Sequence, residues 1–133
     1  MSEAEGGPTV LILDRDLGFL FWLGGIFSEA GCQVVPALDC AQAVSTVREL
    51  DLTFDLVVLN PAFEQVQQAL NVLSAQGAKP KIVVISDEKV DAIGPNPVDA
   101  SLNRPRGSQD ISHQEWLQRV QHVLRNVLGW GIE

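Results

Sequence analysis

Residues 54–63 read FDLVVLNPAF, and this stretch decides the fold. Four apolar residues in a row, Leu56 to Leu59, lack the in-out alternation of a half-solvated strand. They predict a strand buried on both faces, the signature of a parallel sheet. The strand spans 54–60 and delivers Asn60 to its C-terminal tip. In open α/β sheets such tips are where chemistry is placed. The group here is an amide, with neither charge nor nucleophilicity.

Working outward, TVLIL (9–13) and KIVVIS (81–86) read as two more buried strands. CQVVPAL (32–38) is a short one whose Pro36 suggests an edge or bulge, and ASL (100–102) is a fifth. Helices fill the gaps. Residues 17–30 form one, closed by Gly31. Asp39 caps a second, with Cys40, Ala43, Val44, Val47 and Leu50 at inward spacing. A Gln-rich third places Val66, Ala69, Leu70 and Leu73 on one face, with Gly77 past its end. The last opens on a capping box, Ser112 and Glu115, and carries the stripe Trp116, Leu117, Val120, Val123, Leu124, Val127, Leu128. Between strands four and five, DEKVDAIGPNPVDA (87–100) holds two prolines and leaves room for at most one helical turn. The expected fold is α/β, a doubly wound five-stranded parallel sheet with helices on both faces and the fourth helix short or absent. Residues 1–8 are expected to be a flexible lead, 9–128 the domain and 129–133 a tail.

Composition narrows the function. A chain of 133 residues builds one domain. Its net charge of −8 repels nucleic acid and anionic lipid, and no basic run offsets it. The N-terminus MSEAEGGPTV lacks the charged and apolar regions of a signal peptide, and LGFLFWLGGIF (17–27) is too short to span a bilayer. A cytoplasmic protein without nucleic-acid or membrane partners is expected. Cys32 and Cys40 have no metal or redox spacing and read as reduced core thiols. His113 and His122 read as solvated. With no phosphate-binding glycine loop, GxSxG elbow or metal cluster, neither enzymatic activity nor a cofactor or metal is expected.

The strand tips carry more. Strand one ends LDRD (13–16), strand three at Asn60, strand four at Ser86, and strand five runs into NRP (103–105). In this order and spacing, over roughly residues 9–128, the chain resembles the receiver domain of bacterial response regulators, the CheY-like fold. The resemblance implies that Asp14 falls on the first of the family's two acids. Arg15 falls on the second, a metal-binding carboxylate. Asn60 falls on the phospho-accepting Asp, Ser86 on the hydroxyl residue, and Arg104 on the Lys that precedes a Pro, here Pro105. It also implies that strands one and five flank strand three. Ser101 falls on the aromatic switch position, and NPAFEQV (60–66) replaces the usual Met-Pro and Asp-Gly.

Those departures disable the chemistry. An acyl phosphate needs a carboxylate nucleophile and Mg²⁺ held by several oxygens. An amide is no nucleophile, and one negative charge at Asp14 against two positive ones at Arg15 and Arg104 repels a divalent cation. Recruiting Asp16 restores an acid but no acceptor. The expected function is an atypical pseudo-receiver in phosphorelay signal transduction, binding protein partners independently of phosphorylation. The alternative is an anion or small-molecule sensor clasped between Arg15 and Arg104. The family usually signals through its fourth helix, fifth strand and fifth helix. With that helix degraded, the first helix competes as the interface. Its core arc holds Phe19, Leu20, Leu23, Ile26, Phe27 and Ala30. Phe21 lies opposite beside Gly18, Gly25 and Ser28, with Trp22 on the flank. Phe21, Trp22 and Trp130 are the candidate contacts, and a homodimer through the first helix is one candidate assembly.

Overall fold

Thr9–Leu13 (β1), Leu56–Leu59 (β3) and Lys81–Ile85 (β4) are the apolar runs, and they form the centre of the sheet. The computed structural model describes residues 7–50, 54–60, 66–74, 80–86, 92–93, 96–103 and 112–129. Gln33–Ala37 (β2) pairs with β1 alone and so lies at one edge, where Pro36 lacks only an outward-facing donor. Ala100–Leu102 (β7) forms the other edge. The spatial order is β2, β1, β3, β4, β7, all parallel. Strand three is therefore flanked by β1 and β4, and the expectation that strand five flanks it is wrong. Strand five pairs with β4 instead, Val83 opposite Ala100. Apolar patterning specifies which residues are strands and carries no signal of their lateral order.

Side chains alternate across the sheet. Leu11, Leu13, Val57, Leu59 and Val84 face one way, against Cys40–Leu50 (α2) and Val66–Ser74 (α3). Val10, Ile12, Leu56, Val58, Val83 and Ile85 face the other, against Leu17–Glu29 (α1) and His113–Val123 (α4). Each layer is continuous, as a doubly wound sheet requires. Helix α1 starts at Asp16, whose side chain accepts from Phe19 N. It ends in a Schellman motif: Gly31 N donates to Ser28 O and Cys32 N to Phe27 O. Gly31 holds φ 102°, where a Cβ would be strained. Ser112 caps α4 by accepting from Glu115 N, as the capping box predicts. Its apolar stripe continues through a π-helical turn, Leu124–Leu128, to Gly129 at φ 71°.

Two features add to the expectation of a short or absent fourth helix and a lead over residues 1–8. Where a fourth helix belongs, the described residues form a small antiparallel ladder, Ala92–Ile93 (β5) against Asn96–Pro97 (β6). Gly7 and Pro8, within the expected lead, are buried, and Pro8 O accepts from Gln33 N. Among the described residues no helix is long and apolar enough to cross a membrane.

Phe27 is completely buried, whereas Phe21 on the same helix is 64% exposed. Phe27→Ala should lose about 3–5 kcal/mol in urea denaturation through the cavity it leaves. Phe21→Ala should stay within about 0.5 kcal/mol of wild type. Cys32 and Cys40 are buried, on opposite layers of the core. Burial, reinforced by the charge of Asp55, pushes the Cys32 thiol from 9.0 up to about 12. Between those values the unfolded chain ionises and the folded one does not. This stabilisation is complete below pH 9 and is lost as pH rises toward 12, by up to about 1.4 kcal/mol per pH unit. Urea titrations at stepped pH should show that slope, and Cys32→Ala should flatten it.

Candidate functional site

The tip residues are held by the sheet itself. Asp14 N donates to Ala37 O at 3.2 Å, Asn60 N to Leu13 O at 3.3 Å, and Ser86 N to Leu102 O at 3.0 Å. Each bond extends a ladder one residue past its strand. Leu13 pairs with Leu59 and Leu59 with Val84. Asp14 and Asn60 are thus next neighbours across adjacent strands, roughly 5 Å apart in backbone spacing, with Ser86 on the far side of Asn60. The chain leaves β1 for α1 on one face and β3 for α3 on the other, so the crevice of this strand order opens between Asp14 and Asn60.

Sequence reasoning brought Asp14, Arg15, Asn60 and Ser86 together, and the topology places all four at one end of the sheet. Arg104 and Trp130 lie outside the described residues, as does Pro105. Asp14 is the one charged residue buried among those described, at 2% exposure, and its Oδ1 accepts from Asp16 N at 2.9 Å. Asp16 is exposed, with its carboxylate on the first turn of α1. The frame is therefore fixed: residue 14 is the inward acid, and Asp16 is a helix cap. Arg15 is exposed, and its charge reaches Cys40 at the start of α2. There it opposes burial and Asp39, which together raise that thiol.

A divalent cation such as Mg²⁺ needs several hard oxygen ligands. Among the described residues no three Asp, Glu, His or Cys side chains are grouped to hold one. Among the described residues the crevice offers one buried carboxylate, a neutral amide and a hydroxyl, with the exposed Arg15 next in sequence to Asp14. This donor set does not fit the ion.

Elsewhere, Trp22 packs edge-on against Trp116 at 5.4 Å and beside Phe19 at 5.9 Å, so it is half-buried against the domain. Phe21 is the exposed member of the pair. A cleft of about 540 Å³ beside β7 is lined by Ser101, Leu102, Arg119, His122 and Val123. His113, expected to be solvated, is half-exposed but paired: its Nε2 lies 2.6 Å from Glu29 Oε2, joining the start of α4 to the end of α1. No local pattern announces a contact between residues so distant in sequence. His122 Nε2 lies 2.8 Å from Asn126 Nδ2.

No family profile and no curated protein matches the sequence. Solved structures do match the fold. The response regulator domain of CheB from Thermotoga maritima is 20% identical, over 95% of this chain and 99% of that one, with a TM-score of 0.65. The receiver domain of sensor histidine kinase PA1611 from Pseudomonas aeruginosa, with a magnesium ion coordinated in its active-site cleft, is 14% identical over 92% and 98%, TM-score 0.66. Chemotaxis response regulator CheY4 of Vibrio cholerae is 18% identical over 86% and 98%, TM-score 0.61. The fold is that of CheY-like receiver domains.

Proposed function

We propose that this chain is a pseudo-receiver, a cytoplasmic signal-transduction module that binds protein partners without being phosphorylated. The observation that carries the reading is Asn60, an amide at the tip of β3 beside the buried Asp14. In a receiver that tip supplies the carboxylate that attacks phosphorus. The amide nitrogen's lone pair is delocalised into its carbonyl, so no acyl phosphate forms. Arg15 adds a positive charge where the family has a metal ligand. A guanidinium standing in the metal's volume and pairing with Asp14 is the arrangement we expect, and it would hold the loop after β1 in one state. Such a partly exposed pair contributes only about 0–1 kcal/mol to stability, so its consequence is rigidity.

Intact-mass spectrometry after incubation with acetyl phosphate and Mg²⁺ should show no added phosphoryl group. An acid-stable, base-labile adduct on a strand-tip carboxylate would refute the reading. In NMR titrations with Mg²⁺ and beryllofluoride, the amides of Asn60 and Ser86 should not move. Saturating shifts at low-millimolar Mg²⁺ would reveal a working pocket.

Asn60→Asp alone should not restore phosphorylation, because Arg15 still repels the metal. Asn60→Asp combined with Arg15→Asp should bind Mg²⁺ measurably by calorimetry. A Mg²⁺-dependent phosphoprotein from the single variant would show that Arg15 has no such role.

A further inference from the structure

Helix α1 carries no charged residue from Leu17 to Ser28, although the domain covers only one of its sides. A helix apolar all round is ordinarily buried all round. Here Leu20, Leu23, Ile26 and Phe27 are buried while Gly18, Phe21, Gly25 and Ser28 are exposed, with Leu17 49% exposed at their edge. The exposed residues are spaced three, four and three apart, the spacing of a seam between two packed helices.

We propose that this seam pairs the chain with a second copy of itself, the two α1 helices running antiparallel about a twofold axis at residue 23. The register follows from side-chain size. In this arrangement Phe21 lies over Gly25 of the partner subunit, and Gly18 lies against Ser28 of the partner subunit. Each large knob then meets a missing side chain. A Cβ added at Gly25 would meet nothing within 4 Å, so there is open space for the incoming ring. A parallel pairing would stack Phe21 on its own copy and leave Gly25 facing a void.

A second copy is the occupant because knob and hole lie on the same helix, the self-complementarity that a twofold interface demands. Charge points the same way. Two chains of net charge −8 repel, and an uncharged seam is where they approach at least electrostatic cost. A helix of 13 residues is about 20 Å long, too short for the roughly 800 Å² per partner of a standard interface. The dimer is therefore weak and its formation depends on concentration. This inference deepens the reading of the chain as an interaction module, while its test is independent of phosphorylation.

Sedimentation velocity from about 10 µM to about 1 mM spans weak association. Wild type should shift from monomer toward dimer across that range. Phe21→Ser removes the knob and Gly25→Leu fills the hole. Each should lower the association constant at least tenfold, with thermal melts confirming that both still fold. Gly25→Leu in particular replaces the poorer helix former. A wild type that stays monomeric throughout overturns the proposal, as does a dimer that neither variant weakens. A dimer lost with Phe21→Ser but retained with Gly25→Leu overturns the antiparallel packing. A monomeric wild type would leave the pseudo-receiver reading intact, and a phosphorylated protein would leave the dimer intact.

Discussion

Strands β1, β3 and β4 are enclosed by helices on both faces, so their backbone N–H and C=O groups have to be answered inside the sheet. Two aspartates close the lower ends. Asp55 N donates to Thr9 O while Asp55 Oδ2 accepts from Thr9 N at 2.9 Å. Asp99 repeats the pattern on Ile82, N to O and N–H to Oδ2, both at 2.8 Å. At the upper ends the ladder itself runs one residue further, through Asp14, Asn60 and Ser86. The candidate site positions are thus placed by main-chain bonding. Whatever side chain stands at 60 is delivered to the same spot. A fold built this way tolerates an amide for a carboxylate, because nothing in the ladder depends on that exchange.

The packing of α1 follows a different rule. Phe27, Leu20 and Leu23 sink into the core beneath it, and Trp22 meets the buried Trp116 edge-on. Among the described residues the Trp116 indole N–H has no partner, a cost of about 1–3 kcal/mol by the usual measure of an unmade bond. Its burial and its ring contacts, including Arg119 across its face at 5.8 Å, offset that loss. The result is a helix fixed on its inner side by large rings. Its outer side is free to be shaped by something other than stability, and that side is where the glycines and Phe21 stand.

Much of this was legible in the sequence. The unalternating runs at 9–13, 56–59 and 81–85 marked strands buried twice over, Pro36 marked an edge, and Ser112 with Glu115 marked a helix start. Those signals are local, because capping and burial are decided within a few residues. The order of the strands was not legible, since β7 differs from a flank of β3 only in which neighbour it bonds. The 92–97 ladder also escaped notice: two prolines forbid a helix there without saying what replaces it. At the tips, sequence left open whether Asp14 or Asp16 was the inward acid. Burial of the first and helix capping by the second decided it, and neither follows from the letters LDRD. The His113–Glu29 pair joins two helix ends 84 residues apart and has no local signature.

Electrostatics gives the amide a positive role in the proposed reading. Carboxylates gathered at one crevice repel each other, and a bound cation relieves the strain. Such a pocket differs with and without its ion, and that difference is what a switch exploits. With Asn60 beside Asp14, the described residues offer one buried carboxylate at this crevice and no cluster for a cation to neutralise. Asp14 is instead satisfied from within its own loop, through Asp16 N. In the proposed reading, a pocket with no cation to gain or lose keeps one arrangement. In that reading the domain presents one constant surface, and the outer side of α1, uncharged from Leu17 to Ser28, stands apart in an acidic protein.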